Sequence, residues 1–137
     1  MKKTVLFLCP HGGAKSLIAA SYFNRIAQAR QLPFKAIAAA AEDPYPEVPA
    51  NVAETLGREG FDVRGFQPRP VEARDFGSAA LVIAIDCDLQ AFDTRSAQVD
   101  SWDDVPKVSV DLEGSSAAIR RHVRTLTDEL AARNNPR

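Results

Sequence analysis

The chain has 137 residues, 45% of them hydrophobic, a formal charge of -1 and two cysteines. That is the length of one ordinary domain with enough apolar material for a core, and the charge balance gives no global reason to bind nucleic acid or an anionic membrane. Two cysteines are too few for a disulfide framework and lack the clustered Cys/His spacing of a zinc site, so neither a metal nor a cofactor is expected.

Lys2 and Lys3 precede an apolar run, Val5 to Leu8, that is too short for a signal-peptide core. No stretch approaches the roughly 18 uninterrupted apolar residues of a membrane span, and a cytoplasmic protein is the expectation. Thr4 to Leu8 reads as a strand buried on both faces, bounded by a glycine loop. From Ser16 the period becomes helical, through Leu17, Ala20, Tyr22, Phe23, Ile26 and Ala27 to about Arg30, before Pro33. Phe34 to Ala41, rich in alanine, is a weakly signalled second strand, and Pro44, Pro46 and Pro49 mark an extended loop.

Ala50 to Glu59 carries Val52 and Leu56 four apart and stops at Gly60, a helix ending on a glycine cap. Phe61 to Pro70 is irregular, because Pro68 and Pro70 exclude a central strand. Ala80 to Ile85 is a third apolar strand ending in Asp86, and a short helix is predicted from Asp88. Lys107 to Val110 is predicted as the fourth strand, ending at Asp111. The last helix places Ile119, Val123, Leu126 and Leu130 on one face. Its basic stretch, Arg120, Arg121 and Arg124, reads as a solvated surface.

Strands alternating with helices predict an α/β fold: one domain over residues 1–132, with an open, parallel, four-stranded sheet covered by helices on both faces, and a flexible tail over 133–137. Ligands bind such sheets outside the carboxyl ends of the strands, where Cys9, Asp86 and Asp111 fall. An acid at such an end also serves as a turn former or helix cap, and that is the reading favoured for Asp86 alone.

The first of these ends, "LFLCPHGGAKS", carries the chemistry. If a helix begins near Lys15, the backbone N–H groups of Pro10-His11-Gly12-Gly13-Ala14-Lys15-Ser16, proline's missing one apart, form an anion nest completed by the helix terminus. Gly12 and Gly13 are expected to supply positive φ and a backbone with no Cβ facing a ligand. Cys9 would be held as thiolate by the same donors, by the dipole and by Lys15, with Ser16 donating to the sulfur and His11 adding a donor or staying exposed. The opposing reading is that Cys9 is a buried apolar residue at a tight turn.

"VLFLCPHGGAKSLIAASYF" resembles the start of low-molecular-weight protein tyrosine phosphatases and thiol-dependent arsenate reductases, whose signature is a strand, a cysteine, five residues, arginine and serine, entering a helix. "AIAAAAEDPYPEVPANVAETLGREGFDVRGFQPRPV" and "ALVIAIDCDLQ" are similar to later parts of the same family, so the resemblance runs from Lys3 to Leu130. It implies a phosphotyrosine phosphatase I-like fold, a nucleophile at Cys9, and phosphate or another tetrahedral oxyanion as ligand, borne by a phosphorylated protein. It also exposes departures. Lys15, a point charge, stands where the family has a planar arginine fork, and Gly12 takes the place of a loop asparagine.

The family's Asp-Pro general acid has no counterpart in "SWDDVPKVSVDLEG", which leaves Asp104 and Asp111 as candidates, Asp111 being preferred by topology. Trp102, Phe66 and Tyr45 are the aromatics available to flank a substrate ring. The thioredoxin-coupled reductases relay a disulfide through two further cysteines, and a lone Cys87 beside Asp86 does not supply that route; a reductase using a small-molecule thiol needs only Cys9. Two principal readings follow: a phosphatase working through phosphocysteine, and a phosphate-binding module without efficient turnover.

Overall fold

The structure, a computed structural model, describes residues 2–94 and 97–134. Strand β1 spans Lys3–Cys9, helix α1 Lys15–Ala29, β2 Phe34–Ala40 and α2 Ala50–Arg58. They are followed by α3 over Ala73–Ser78, β3 over Ala79–Ile85, β4 over Val99–Trp102 and α4 over Leu112–Asn134. The four strands pair in parallel in the order β2-β1-β3-β4, which makes β1 central.

The unbroken apolar run of β1 is explained by two cores. A strand sends successive side chains to opposite faces. Val5, Phe7 and Cys9 join Leu17, Ile18 and Phe23 of α1 and Ile119 and Val123 of α4 in the larger core. Leu6 and Leu8 join Val82 of β3 and Phe76 of α3 in the smaller one. Phe7 meets the Phe23 ring edge-on with centroids 5.9 Å apart, which fixes α1 across the sheet.

The free edge of β2 is covered rather than exposed. Asn24 of α1 donates from Nδ2 to Ala36 O at 3.1 Å and accepts from Ala36 N–H at 2.8 Å, filling the place of a further strand. At the end of the same strand Ala40 N–H donates to Arg69 O and Ala40 O accepts from Val71 N–H, at 2.8 and 2.9 Å. The irregular stretch from Phe61 to Pro70 is thereby tied to the sheet.

Three local expectations are corrected. The fourth strand is Val99–Trp102, paired with β3 from Val82↔Val99 to Ile85↔Trp102, while Lys107 to Val110 forms a turn in which Lys107 O accepts from the Val110 and Asp111 N–H groups. Val110, the last residue of the expected strand, is 81% exposed. The true strand is a polar edge strand with only Trp102 buried. Among the described residues no helix starts at Asp88; its carboxylate accepts from Gln90 N–H in a tight turn instead. Conversely α3 is an added helix, set by a reciprocal capping box between Glu72 and Asp75. Helix α4 runs on to Asn134, and residues 135–137 of the expected tail lie outside the described residues. None of the helices described is long and apolar enough to cross a membrane.

Asp75 does more than cap. Its carboxylate also takes both arms of the Arg69 guanidinium, at 2.8 and 3.0 Å, and that contact holds its carboxyl below the usual carboxylate range. A depressed carboxyl contributes stability that is present above the unfolded-state value and is lost as pH falls through the folded one. Asp75→Asn should therefore lower unfolding stability by about 1–2 kcal/mol at pH 7. In urea titrations the gap to wild type should close as the pH drops below about 4.

Candidate functional site

The central strand delivers Cys9 to the carboxyl edge of the sheet, 3% exposed. Beyond it the β1–β2 pairing continues into the loop: Cys9 O accepts from Ala41 N–H, Pro10 O from Glu42 N–H and His11 O from Tyr45 N–H, at 2.9–3.0 Å. Because a trans peptide points its N–H opposite its C=O, the bonds at Pro10 O and His11 O turn the His11 and Gly12 N–H groups away from the 41–45 segment, whereas the peptide after Cys9 is proline's and has no N–H. His11 Nδ1 donates to Asp43 O at 2.7 Å and its ring packs on Tyr45, so the histidine is tied down rather than free.

Gly12 has φ +69, and a Cβ there would lie 2.8 Å from Ala40 N. Its glycine is required by the approach to β2, not by a ligand. Gly13 departs from the expectation: its φ is not positive, and a Cβ would meet Pro68 and Tyr45 side chains at 3.1 and 3.2 Å.

Helix α1 then begins at Lys15, and its first turn reaches back under the cysteine. Ser16 N–H donates to Cys9 Sγ at 3.3 Å, and Ser16 Oγ lies 3.1 Å from the same sulfur. Lys15 is buried, and its Nζ donates to Asp86 Oδ2 at 2.9 Å. Asp86 sits just past β3 in a left-handed conformation, φ 54, with its N–H donating to Trp102 O of β4.

A cavity of about 590 Å³ opens above this floor, a size suited to a small ligand. Cys9, Pro10, His11, Ala14 and Lys15 form its base, with Glu42, Tyr45 and Asn51 on one side and Asp86, Lys107 and Ser109 on others. Loop 106–111 is anchored there by Ser115 of α4, whose Oγ donates to Pro106 O and to Asp111 O.

The two expected proton donors are placed elsewhere. Asp104 accepts from His122 Nε2 at 2.6 Å, a contact that holds its carboxyl below the usual range, and it lines a second concavity with Trp102 and Arg121. Asp111 Oδ1 accepts from Gly114 N–H at 2.8 Å and caps α4, a position where unpaired helix amides claim a carboxylate. Neither lines the Cys9 cavity. Of the three aromatics, Tyr45 lines it, whereas Trp102 packs on Phe7 and stacks on His122, and Phe66 packs against the core. Sequence reasoning missed Glu42, Asn51, Lys107 and Ser109 as cavity residues and set Asp86 down as a turn former; its position at a strand end was the available signal for Asp86.

Cys87 is half-buried with the smaller core, on the other side of the sheet from Cys9. Burial, reinforced by the nearby Cys9, pushes its thiol up to about 12. No cluster of three or more His, Cys, Asp or Glu side chains able to hold a metal occurs among the described residues.

A parallel sheet whose central strand ends in a thiol, received by a helix terminus that donates to the sulfur, defines a cysteine-centred α/β domain of the small phosphatase type. The family model for low molecular weight phosphotyrosine protein phosphatase matches residues 4–105, and the chain belongs to that family. The match ends at Val105, before loop 106–111 and α4.

A putative arsenate reductase of Halobacterium salinarum is 26% identical over 97 residues, covering 70% of this chain and 68% of that protein. The low molecular weight protein tyrosine phosphatase of T. tengcongensis shares the fold at TM-score 0.81 and 19% identity, over 93% of this chain and 99% of that one. The thioredoxin-dependent arsenate reductase of Corynebacterium glutamicum does so at TM-score 0.79 and 20% identity, over 95% of this chain, which spans 62% of that protein's length.

Gly12→Ala tests the geometry of the floor. The clash with the Ala40 backbone and the positive φ should together cost at least about 2 kcal/mol of stability, measured by chemical denaturation, whereas Gly13→Ala, meeting only side chains that can shift, should cost less than half as much.

Proposed function

We propose that the chain acts on tetrahedral oxyanions through Cys9, hydrolysing phosphomonoesters by way of a phosphocysteine. The observation that carries the reading is the convergence of Ser16 N–H and Ser16 Oγ on the Cys9 sulfur. Ser16 N–H donates to the sulfur, and the helix N-terminus directs its partial positive charge to the same point. The thiolate attacks phosphorus and the ester oxygen departs; water then attacks the phosphocysteine, releasing phosphate and returning the thiolate.

In this reading the amides from His11 to Lys15 and the Lys15 ammonium balance charge on the equatorial oxygens. Pro10 and Ala14 shape the base of the cavity. The Ser16 hydroxyl eases departure of the sulfur in the second step. With Asp104 and Asp111 committed to His122 and to α4, neither is assigned the proton transfer, and turnover favours leaving groups that depart without help. Phosphorylated protein side chains with an acidic phenol fit that preference better than alkyl phosphates.

A second reading, reduction of arsenate with a small-molecule thiol, is favoured by the curated Halobacterium relative. Arsenic would bond to Cys9 with loss of water; an external thiol would then take the sulfur as a mixed disulfide and release arsenite, and a second thiol would regenerate Cys9.

Alkylation and turnover separate the readings. Cys9 should be carboxymethylated at neutral pH at least tenfold faster than Cys87, and phosphate should slow Cys9 alone. An aryl phosphate with an acidic phenol should be hydrolysed by wild type and not by Cys9→Ser. Lys15→Arg should raise kcat more than it changes phosphate affinity, because a planar fork grips two oxygens of the transferring group. Phosphate binding without turnover in either protein would mark a binding module, and thiol-dependent release of arsenite the reductase.

A further inference from the structure

We infer that Asp86 makes the Cys9 cavity selective for oxyanions that still carry a proton, such as phosphate and arsenate, over the fully deprotonated sulfate of the same shape. The inference rests on the oxyanion reading of the cavity and refines which oxyanion it takes.

The charges around the cavity oppose a bare dianion. Lining the cavity together with Asp86 are Lys15 from α1, Cys9 and His11 from β1 and its loop, Glu42 from beyond β2, and Lys107 from the loop beyond β4. Lys15 and Lys107 are offset by Glu42 and Asp86, and the Lys15 ammonium is already committed to Asp86 at 2.9 Å. A cation dedicated to the ligand would sit opposite an empty space; here a carboxylate shares the wall with it.

An ionised carboxylate is only an acceptor, with about four lone-pair directions over its two oxygens. Lys15 takes one of them through Oδ2; the Asp86 side chain, which lines the cavity, is 42% exposed, and that of Lys15 is 8% exposed. Against a deprotonated oxygen, such an acceptor repels. Against a P–OH or As–OH it completes a charge-assisted hydrogen bond. Phosphate and arsenate keep at least one such proton throughout the neutral range, and sulfate has none. Discrimination of this kind is large, because the wrong ligand leaves two acceptors face to face.

The backbone leaves the residue type open. At φ 54 an asparagine is tolerated as readily as an aspartate, so the carboxylate is not demanded by the turn. Asp86→Asn therefore keeps the conformation and exchanges an acceptor for a group that can also donate.

Titration calorimetry of the full chain with sodium phosphate, arsenate and sulfate at pH 7.5 and constant ionic strength tests the inference. Wild type should bind phosphate and arsenate at least tenfold more tightly than sulfate. In Asp86→Asn, shown to be folded by circular dichroism, sulfate should gain and the ratio fall within threefold. Sulfate binding within threefold of phosphate in wild type overturns the proton-reading role while leaving the oxyanion site standing. An unchanged ratio in Asp86→Asn overturns it too, and assigns Asp86 to neutralising Lys15 alone. Failure of all three anions to bind wild type overturns this inference together with the reading beneath it.

Discussion

The loop that follows β1 is held in place by backbone hydrogen bonds, and the rest of the site follows from them. Ala41, Glu42 and Tyr45 donate to three of its carbonyls, so the loop lies along the exit of β2 as an extension of the ladder. The left-handed turn at Gly12 then brings the chain against Ala40 with no room for a side chain. From there α1 starts at Lys15 and can do little else but present Ser16 to the sulfur and Lys15 to the end of β3. The chemistry is thus positioned by main-chain geometry, and side chains refine it.

Burying Lys15 sets a second condition. An ammonium taken out of water needs a counter-charge, or it costs several kcal/mol. Asp86 meets that need from the neighbouring strand, and its own N–H is fastened to β4. The ion pair therefore joins α1 to the end of β3 and, through the Asp86 N–H, to β4. It also ties the strength of the anion site to a partner that is half in solvent, so the same contact is at once structural and electrostatic.

The strand, glycine loop and helix at the N-terminus were legible because three signals coincide within a few residues: a continuous apolar run, paired glycines and a change of period. The central position of β1 and the two-sided core follow from its lack of polar residues. The fourth strand was not legible, because an edge strand needs only one buried side chain, Trp102, and "VDSW" carries no alternation to see. The expected strand at Lys107 to Val110 is a turn instead, with Val108 packed against the core and Val110 exposed. In the candidate site, spacing along the chain singles out Cys9, Lys15 and Ser16, which the start of α1 brings close to one another. Glu42, Asn51 and Lys107 were not, since they reach the cavity from three separate loops whose approach depends on the complete tertiary fold. Asp104 and Asp111 failed as cavity residues for a simple reason: His122 and the first turn of α4 are nearer customers for a carboxylate.

The placement of the two thiols bears on how this domain meets oxidants. A sulfenic acid formed at Cys9 is rescued when a second thiol condenses with it before further oxygen is added. Cys87 is the chain's other cysteine; it is half-buried against the smaller core, with its thiol 3.7 Å from the carbonyl oxygen of Leu8, the residue before Cys9. Rescue from within the chain therefore turns on one partner, Cys87, and otherwise falls to thiols in the surroundings.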